Sequence, residues 1–200
     1  MSIVIVLVLG FGLLHSLTAD RRLKEWIAAI IGQRAYEGWY RLTYNVFSVL
    51  LLSPALLAMA LLGNTILYRV PDLLVPIFLI LQLIGIGGLV IATLQIDVMR
   101  FAGIRQAITY LRGEPLPLPP EPLQTGGLYA WVRHPLYFFS MMAIWFVPVM
   151  TDGLLAFNLG ATAYFLIGSM VEERRMLRTF GEEYATYQQR VPWMFPLLRW

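Results

Sequence analysis

The chain of 200 residues has no cysteine, only two histidines and few charged side chains. Without thiols there is no disulfide framework, no cysteine-ligated zinc or iron–sulfur cluster and no thiol nucleophile, and no metal site is expected. Charged residues make up 14%, where an ordinary soluble domain carries about 25%. Such a chain cannot cover itself with a wetted surface. That excludes a cytosolic enzyme of the usual kind, and also disorder and collagen-like repeats.

Long apolar runs are what the sequence has instead, with 58% hydrophobic residues and a mean hydropathy of +0.67. A spanning helix needs about 20 mostly apolar residues. Five stretches approach this, at about 3–17, 42–62, 73–96, 136–150 and 154–171. The reading is a single all-α membrane domain over 1–200, an integral helical bundle with about five transmembrane helices. Thr151-Asp152-Gly153 is expected as a tight turn joining the last two spans into an antiparallel hairpin. The first span lacks a preceding basic region and a following small-x-small cleavage site, so it reads as a retained helix rather than a signal peptide.

Charge orients the spans. Fourteen of the fifteen basic residues fall in alternate connectors: Arg21, Arg22, Lys24, Arg34 and Arg41; then Arg100, Arg105, Arg112 and Arg133; then Arg174, Arg175, Arg178, Arg190 and Arg199. Arg69 alone falls on the other side. The positive-inside rule then predicts the N-terminus outside and the C-terminus in the cytoplasm of a bacterial inner membrane. Topology explains the basic balance, and no nucleic-acid partner is implied. Gly85, Gly88, Ala92 and Gln95 form a stripe in the third span that reads as a close packing face. No internal repeat points to a transporter.

Two cytoplasmic segments, about 97–135 and 172–200, are too rich in polar residues to be plain connectors. Val98 to Leu111 mixes apolar and basic residues at helical spacing, as an amphipathic helix on the inner leaflet would. The prolines of Glu114 to Pro122 favour extended, spacer-like chain. Gly126 and Gly127 allow a close turn, and Pro135 suits the first turn of the fourth helix, placing Arg133 and His134 at its mouth. The fifth helix is expected to run to about Phe180 and stop at Gly181, carrying Glu172 and Glu173 where it leaves the membrane. Taken singly, Arg133 could be a headgroup anchor, and the two glutamates could pair with Arg175 or Arg178. The hairpin, however, brings cation, imidazole, carboxylates, glycine turn and tyrosines to one cytoplasmic patch, which suggests a site.

Gly127-Leu-Tyr129-Ala-Trp-Val-Arg133-His134-Pro135-Leu-Tyr137 resembles a signature of the isoprenylcysteine carboxyl methyltransferase family. Glu172-Glu173, followed by Phe180-Gly181-Glu182-Glu183-Tyr184, Tyr187 and Val191-Pro192, resembles that family's second block. His15-Ser16-Leu17, Tyr40-Arg41, Tyr44-Asn45, Ile96-Asp97 and Gly103-Ile104-Arg105-Gln106 are similar to the bacterial methanethiol S-methyltransferase and NnrU-like branch. The resemblance implies a membrane methyltransferase using S-adenosylmethionine. It implies donor binding by Gly126, Gly127, Tyr129, Arg133, His134, Tyr137, Glu172 and Glu173, with His134, Arg133 and Glu173 as the catalytic group. His134 or His15 could take the proton of a thiol acceptor. The acceptor it implies is a small thiol such as methanethiol or a lipophilic molecule, expected to enter from the bilayer; isoprenylcysteine-type carboxyl and phospholipid methyl transfer are alternatives. From other classes, a non-catalytic scaffold or a haem-binding protein using His15 and His134 are the rivals.

Overall fold

The computed structural model describes residues 2–62 and 65–196, most of them helical. Arg199, counted above among the basic residues, lies outside the described residues. The helices are α1 (Ser2–Ala19), α2 (Arg21–Ile31), α3 (Gln33–Leu62), α4 (Val75–Leu94), α5 (Val98–Ala102), α6 (Ile104–Leu111), α7 (Pro135–Trp145), α8 (Asp152–Phe180) and α9 (Glu182–Arg190). Two short strands, β1 (Ile66–Arg69) and β2 (Val149–Thr151), pair antiparallel. The chain forms two compact units, one from residues 1–62 and 97–121, the other from 63–96 and 122–200.

Three helical stretches among the described residues are long and apolar enough to cross a membrane: Gln33–Leu62, Asp72–Leu94 and Asp152–Phe180. A fourth exists if α1 and α2, bent by 57° at Asp20, count as one broken span. The five spans read from sequence therefore include one that differs. The fourth, expected over 136–150, is helical only to Trp145. Eleven residues rise about 16 Å, half a hydrocarbon core. Pro148 is the cause: it has no N–H to continue the helix and biases Val147 toward extended chain. The chain completes its run as β2 rather than as helix. The basic stretch expected as a loop from 19 to 41 is itself helical, as α2 and the start of α3.

In the first unit, α1 and α6 pack on α3. Val4, Val8, Ala55 and Ala58 are buried. Pro54 interrupts the hydrogen bonding of α3, and the Ser53 hydroxyl donates to the Leu50 carbonyl that Pro54 cannot serve, at 2.9 Å. The single amphipathic helix expected over Val98–Leu111 is two helices, because Gly103 sits at φ +89° and turns the chain between them. A Cβ there would lie 2.3 Å from the Leu42 backbone nitrogen. Asn45 locks the same corner, donating to the Phe101 and Ala102 carbonyls at 3.0 and 2.9 Å.

In the second unit, α4 packs along α7 through the small-residue stripe. A Cβ on Gly85 would stand 2.6 Å from the Ala143 nitrogen, and one on Gly88 2.3 Å from the Phe139 ring. The expected packing face is thus a packing face. The end of α7 is closed by side chains. Gln82 donates to the Ala143 carbonyl (3.0 Å), Asn158 to the Ile144 carbonyl (2.7 Å), and the Trp145 indole to Thr162 Oγ1 (2.9 Å). Thr151 ends β2 and caps α8, accepting from the Leu154 nitrogen at 3.2 Å. The expected turn at 151–153 is thus the junction of a strand with a helix. As anticipated, α8 ends at Phe180, where Gly181 takes φ +55°.

Gly103→Ala meets both a forbidden backbone conformation and a backbone clash, so it should cost about 2 kcal/mol or more. Gly87→Ala, whose Cβ would meet nothing within 4 Å, should leave stability near the parent's. Thermal unfolding in detergent checks the pair.

Candidate functional site

Every residue singled out from the two sequence blocks lies in the second unit, around the start of α7, the end of α8 and α9. The dipeptide Arg133-His134 immediately precedes α7. Its backbone nitrogens donate to the Pro192 and Trp193 carbonyls at 2.9 and 3.1 Å. The segment after α9 is thereby laid against the mouth of α7. Val132, Pro135 and Met194, all fully buried, fill the space behind it.

Glu173 is the focus of the polar side chains. Its Oε1 receives Arg133 Nε at 3.0 Å and the Tyr184 hydroxyl at 2.7 Å, and lies 2.7 Å from His134 Nε2. Gln188 donates to Oε2. Arg133, 5% exposed, also donates from one Nη to the Gln188 and Val191 carbonyls. Three of its five N–H donors are thus spent inside the protein. A buried charge pair is tolerable only when hydrogen bonds of this kind answer it. Arg133 and Glu173 together fasten α7, α8, α9 and the terminal segment.

Glu172 faces a different environment. Its side chain is one third exposed. It accepts from the Tyr137 hydroxyl at 3.2 Å, pairs with Arg175 at 3.4 Å, and lies 3.7 Å from His134 Nδ1. The His134, Tyr137 and Phe165 rings stack in sequence, with centroids 5.6 and 5.5 Å apart. The result is an accessible carboxylate against an aromatic wall, with an imidazole between the two glutamates.

The two glycines differ. Gly127 takes φ +59°, and a Cβ on it would come within 2.3 Å of the Gln95 amide, which accepts from the Leu128 nitrogen at 3.0 Å. Gly127 therefore lets the end of α4 hold the turn. A Cβ on Gly126 would meet nothing within 4 Å, so this glycine leaves open room. Tyr129 contributes its carbonyl, which accepts from the Tyr187 hydroxyl at 2.5 Å. Tyr184 and Gln188 were not singled out from sequence as site residues. Their signal was a spacing of four on a polar helix, which puts both on one face. Tyr184, Tyr187 and Val191 form a buried cluster against Leu123, Met176 and Phe180. His15 belongs to the first unit, where it stacks on Phe11 and Tyr44, with the Tyr44 hydroxyl 2.8 Å from Nε2.

Burial, aided by the nearby Glu172 charge, pushes the Tyr129 phenol from 10.0 up to about 12. Burial also raises Tyr184 and Tyr187, and for Tyr184 the bond to the Glu173 carboxylate adds to it. A raised phenol stabilises the fold fully below the unfolded pKa, and that contribution is lost as pH rises through the folded value. Stability should therefore hold up to about pH 10 and fall between 10 and 12. Tyr129→Phe should lessen the fall, as denaturant midpoints across that range would measure.

The NnrU protein family matches residues 3–193. A methanethiol S-methyltransferase of Pseudomonas deceptionensis is 34% identical over 98% of the chain and 72% of its own length. Methanethiol S-methyltransferase 1 of Bradyrhizobium diazoefficiens is 32% identical over 94% of the chain and 64% of its own length. A protein-S-isoprenylcysteine O-methyltransferase of Tribolium castaneum is 32% identical over a shorter stretch, 38% of the chain and 28% of its own length. The chain spans roughly two thirds of the two bacterial relatives. No solved structure matches it. With nearly its whole length covered by that family, the chain belongs to the NnrU proteins.

Proposed function

We propose that this chain is a membrane methyltransferase that takes its methyl group from S-adenosylmethionine and passes it to a small thiol. The observation that carries the reading is the pairing of a partly open carboxylate, Glu172, with the His134–Tyr137–Phe165 aromatic wall beside the hydrogen-bonded Arg133–Glu173 frame. The names of the bacterial relatives supply the reaction class and the thiol. The residues fit the donor. Its ammonium and ribose hydroxyls need a carboxylate with open lone pairs, which Glu172 offers, and its adenine needs a flat apolar surface, which the rings offer. When bound, S-adenosylmethionine supplies a methyl group on a positively charged sulfur.

The chain's own residues then have separate tasks. Arg133 and Glu173 fix the mouth of α7 against α8 and α9, so that His134 and Tyr137 are held in one orientation. Glu172 anchors the donor, and Gly126 leaves room for close backbone approach. A free thiol has a pKa of about 8.5 and must lose its proton to become a good nucleophile. His134, backed by Glu173 at 2.7 Å, is placed to hold that proton. The protein otherwise works by alignment and by excluding water. In the same reading the patch faces the cytoplasm, as the basic residues of its connectors favour, and the acceptor arrives from the bilayer.

Calorimetric titration of the purified protein with S-adenosylmethionine tests the donor site. Glu172→Gln should abolish binding while leaving the unfolding temperature near the parent's. Glu173→Ala should instead destabilise the fold by about 3–5 kcal/mol, because it strands the buried Arg133. No heat from a well-folded parent would sink the donor reading, and undiminished binding by Glu172→Gln would sink its placement. With methanethiol as acceptor, dimethyl sulfide should appear in the headspace. His134→Gln should slow its release about 100-fold or more with donor binding retained. Methylation of a lipid carboxylate or amine in place of the thiol would overturn the acceptor. Orientation is checked in the naturally cysteine-free chain with Asp72→Cys and Thr125→Cys. An impermeant maleimide applied from outside should label the first and reach the second only after the membrane is opened.

A further inference from the structure

A cavity of about 460 Å³ lies in the first unit between α2 and α3, in none of the machinery described above. Arg21, Lys24, Glu25, Ala28 and Ala29 line it from one face of α2, and Gln33 and Tyr36 from the start of α3. Its volume is in the range of small-ligand sites, and its lining is charged, with two cations and one carboxylate. Glu25 accepts from Arg21 Nε at 2.6 Å, and both side chains are exposed. Lys24 Nζ stands 5.9 Å over the Tyr40 ring. Ala28 and Ala29 contribute only methyl groups, so nothing long fills the space from below.

The placement of α2 indicates what reaches this cavity. The apolar α1 ends at Ala19, and the chain bends by 57° at Asp20 into α2. The face of α2 opposite the cavity carries Trp26 and Ile30, 61% and 62% exposed, with Ile31 beside them. No residue of α2 is buried. An amphipathic helix with bare aromatic and branched side chains on one face and cations on the other lies in the interface plane, apolar face toward the acyl chains. The cavity then stands at the depth of the phospholipid headgroups, within reach of a lipid from the same leaflet.

We propose that this cavity seats the headgroup of a membrane phospholipid that carries both a phosphate and a primary ammonium, as phosphatidylethanolamine does. Arg21 and Lys24 hold the phosphate by charge-assisted hydrogen bonds, and Glu25 takes the ammonium. The carboxylate is what selects a zwitterionic over a purely anionic headgroup, which would meet Glu25 without a cation to offer it. The bound lipid pins the bend between α1 and α2.

Native mass spectrometry of the detergent-purified full chain reads this directly, with short-chain phosphatidylethanolamine, short-chain phosphatidylglycerol and inorganic phosphate as separate probes. The parent should retain the ethanolamine lipid about tenfold more tightly than the glycerol lipid. The double variant Arg21→Ala/Lys24→Ala should lose that lipid by about tenfold or more. Glu25→Gln should erase the preference between the two lipids while phosphate contact persists. Arg21 and Glu25 are exposed and Lys24 is half-buried, so the variants should unfold near the parent's temperature, and their titration with S-adenosylmethionine should match the parent's. Equal retention of both lipids by the parent would overturn the proposal, as would retention untouched by the double variant. Displacement of the lipid by inorganic phosphate would instead make the cavity a site for a free anion.

Discussion

Glu173 takes hydrogen bonds from Arg133, Tyr184 and Gln188 and lies against His134, side chains drawn from the mouth of α7 and from α9. A carboxylate with 13% exposure at the end of an apolar helix is costly unless such partners answer it. The partners are in turn costly without it: Arg133 is still more buried, and its remaining bonds reach only backbone carbonyls. The four elements that meet there are therefore coupled, and the orientation of His134 and Tyr137 follows from that coupling. Glu172, one residue earlier, points into a more open setting. Two neighbouring glutamates so divide the work of structure and recognition.

The first unit gathers a second set of sequence-marked residues. Tyr40 donates to the Thr18 carbonyl, Tyr44 meets His15, Asn45 holds the end of α5, and Asp97 caps α5 while pairing with Arg105 at 2.9 Å. Most of these contacts close helix ends or corners. Their chemistry is that of polar groups that must find partners where the chain turns close to lipid. The Gly103 corner is the tightest of them, with α5 and α6 pressed on the backbone of α3.

The sequence made the helical character, the packing stripe of α4, the end of α8 at Gly181 and the assembly of Arg133, His134, Tyr137, Glu172 and Glu173 legible. These rest on long apolar runs, small-residue spacing and a hairpin that leaves little freedom. The short β1–β2 pair was not legible, because four residues in a connector and three at the end of an apolar run carry no periodicity to read. The early end of α7 could have been seen in Pro148, which a count of apolar residues passes over. The separate roles of Glu172 and Glu173 could not, since adjacent residues on a helix point about 100° apart and only their neighbours distinguish them. Gln188 was hidden for the same reason: its value comes from a carboxylate fifteen positions away.

The short α7 bears on how the protein is made. Its last carbonyls are answered by Gln82 from α4 and Asn158 from α8, and its indole by Thr162 from α8. A peptide of this length released alone into lipid would leave those groups bare, at several kcal/mol each. It cannot, then, be laid into the bilayer one segment at a time as the ribosome delivers it. The polar groups at the end of residues 135–151 are answered only with both α4 and α8 beside them, which couples the placing of this segment to α8.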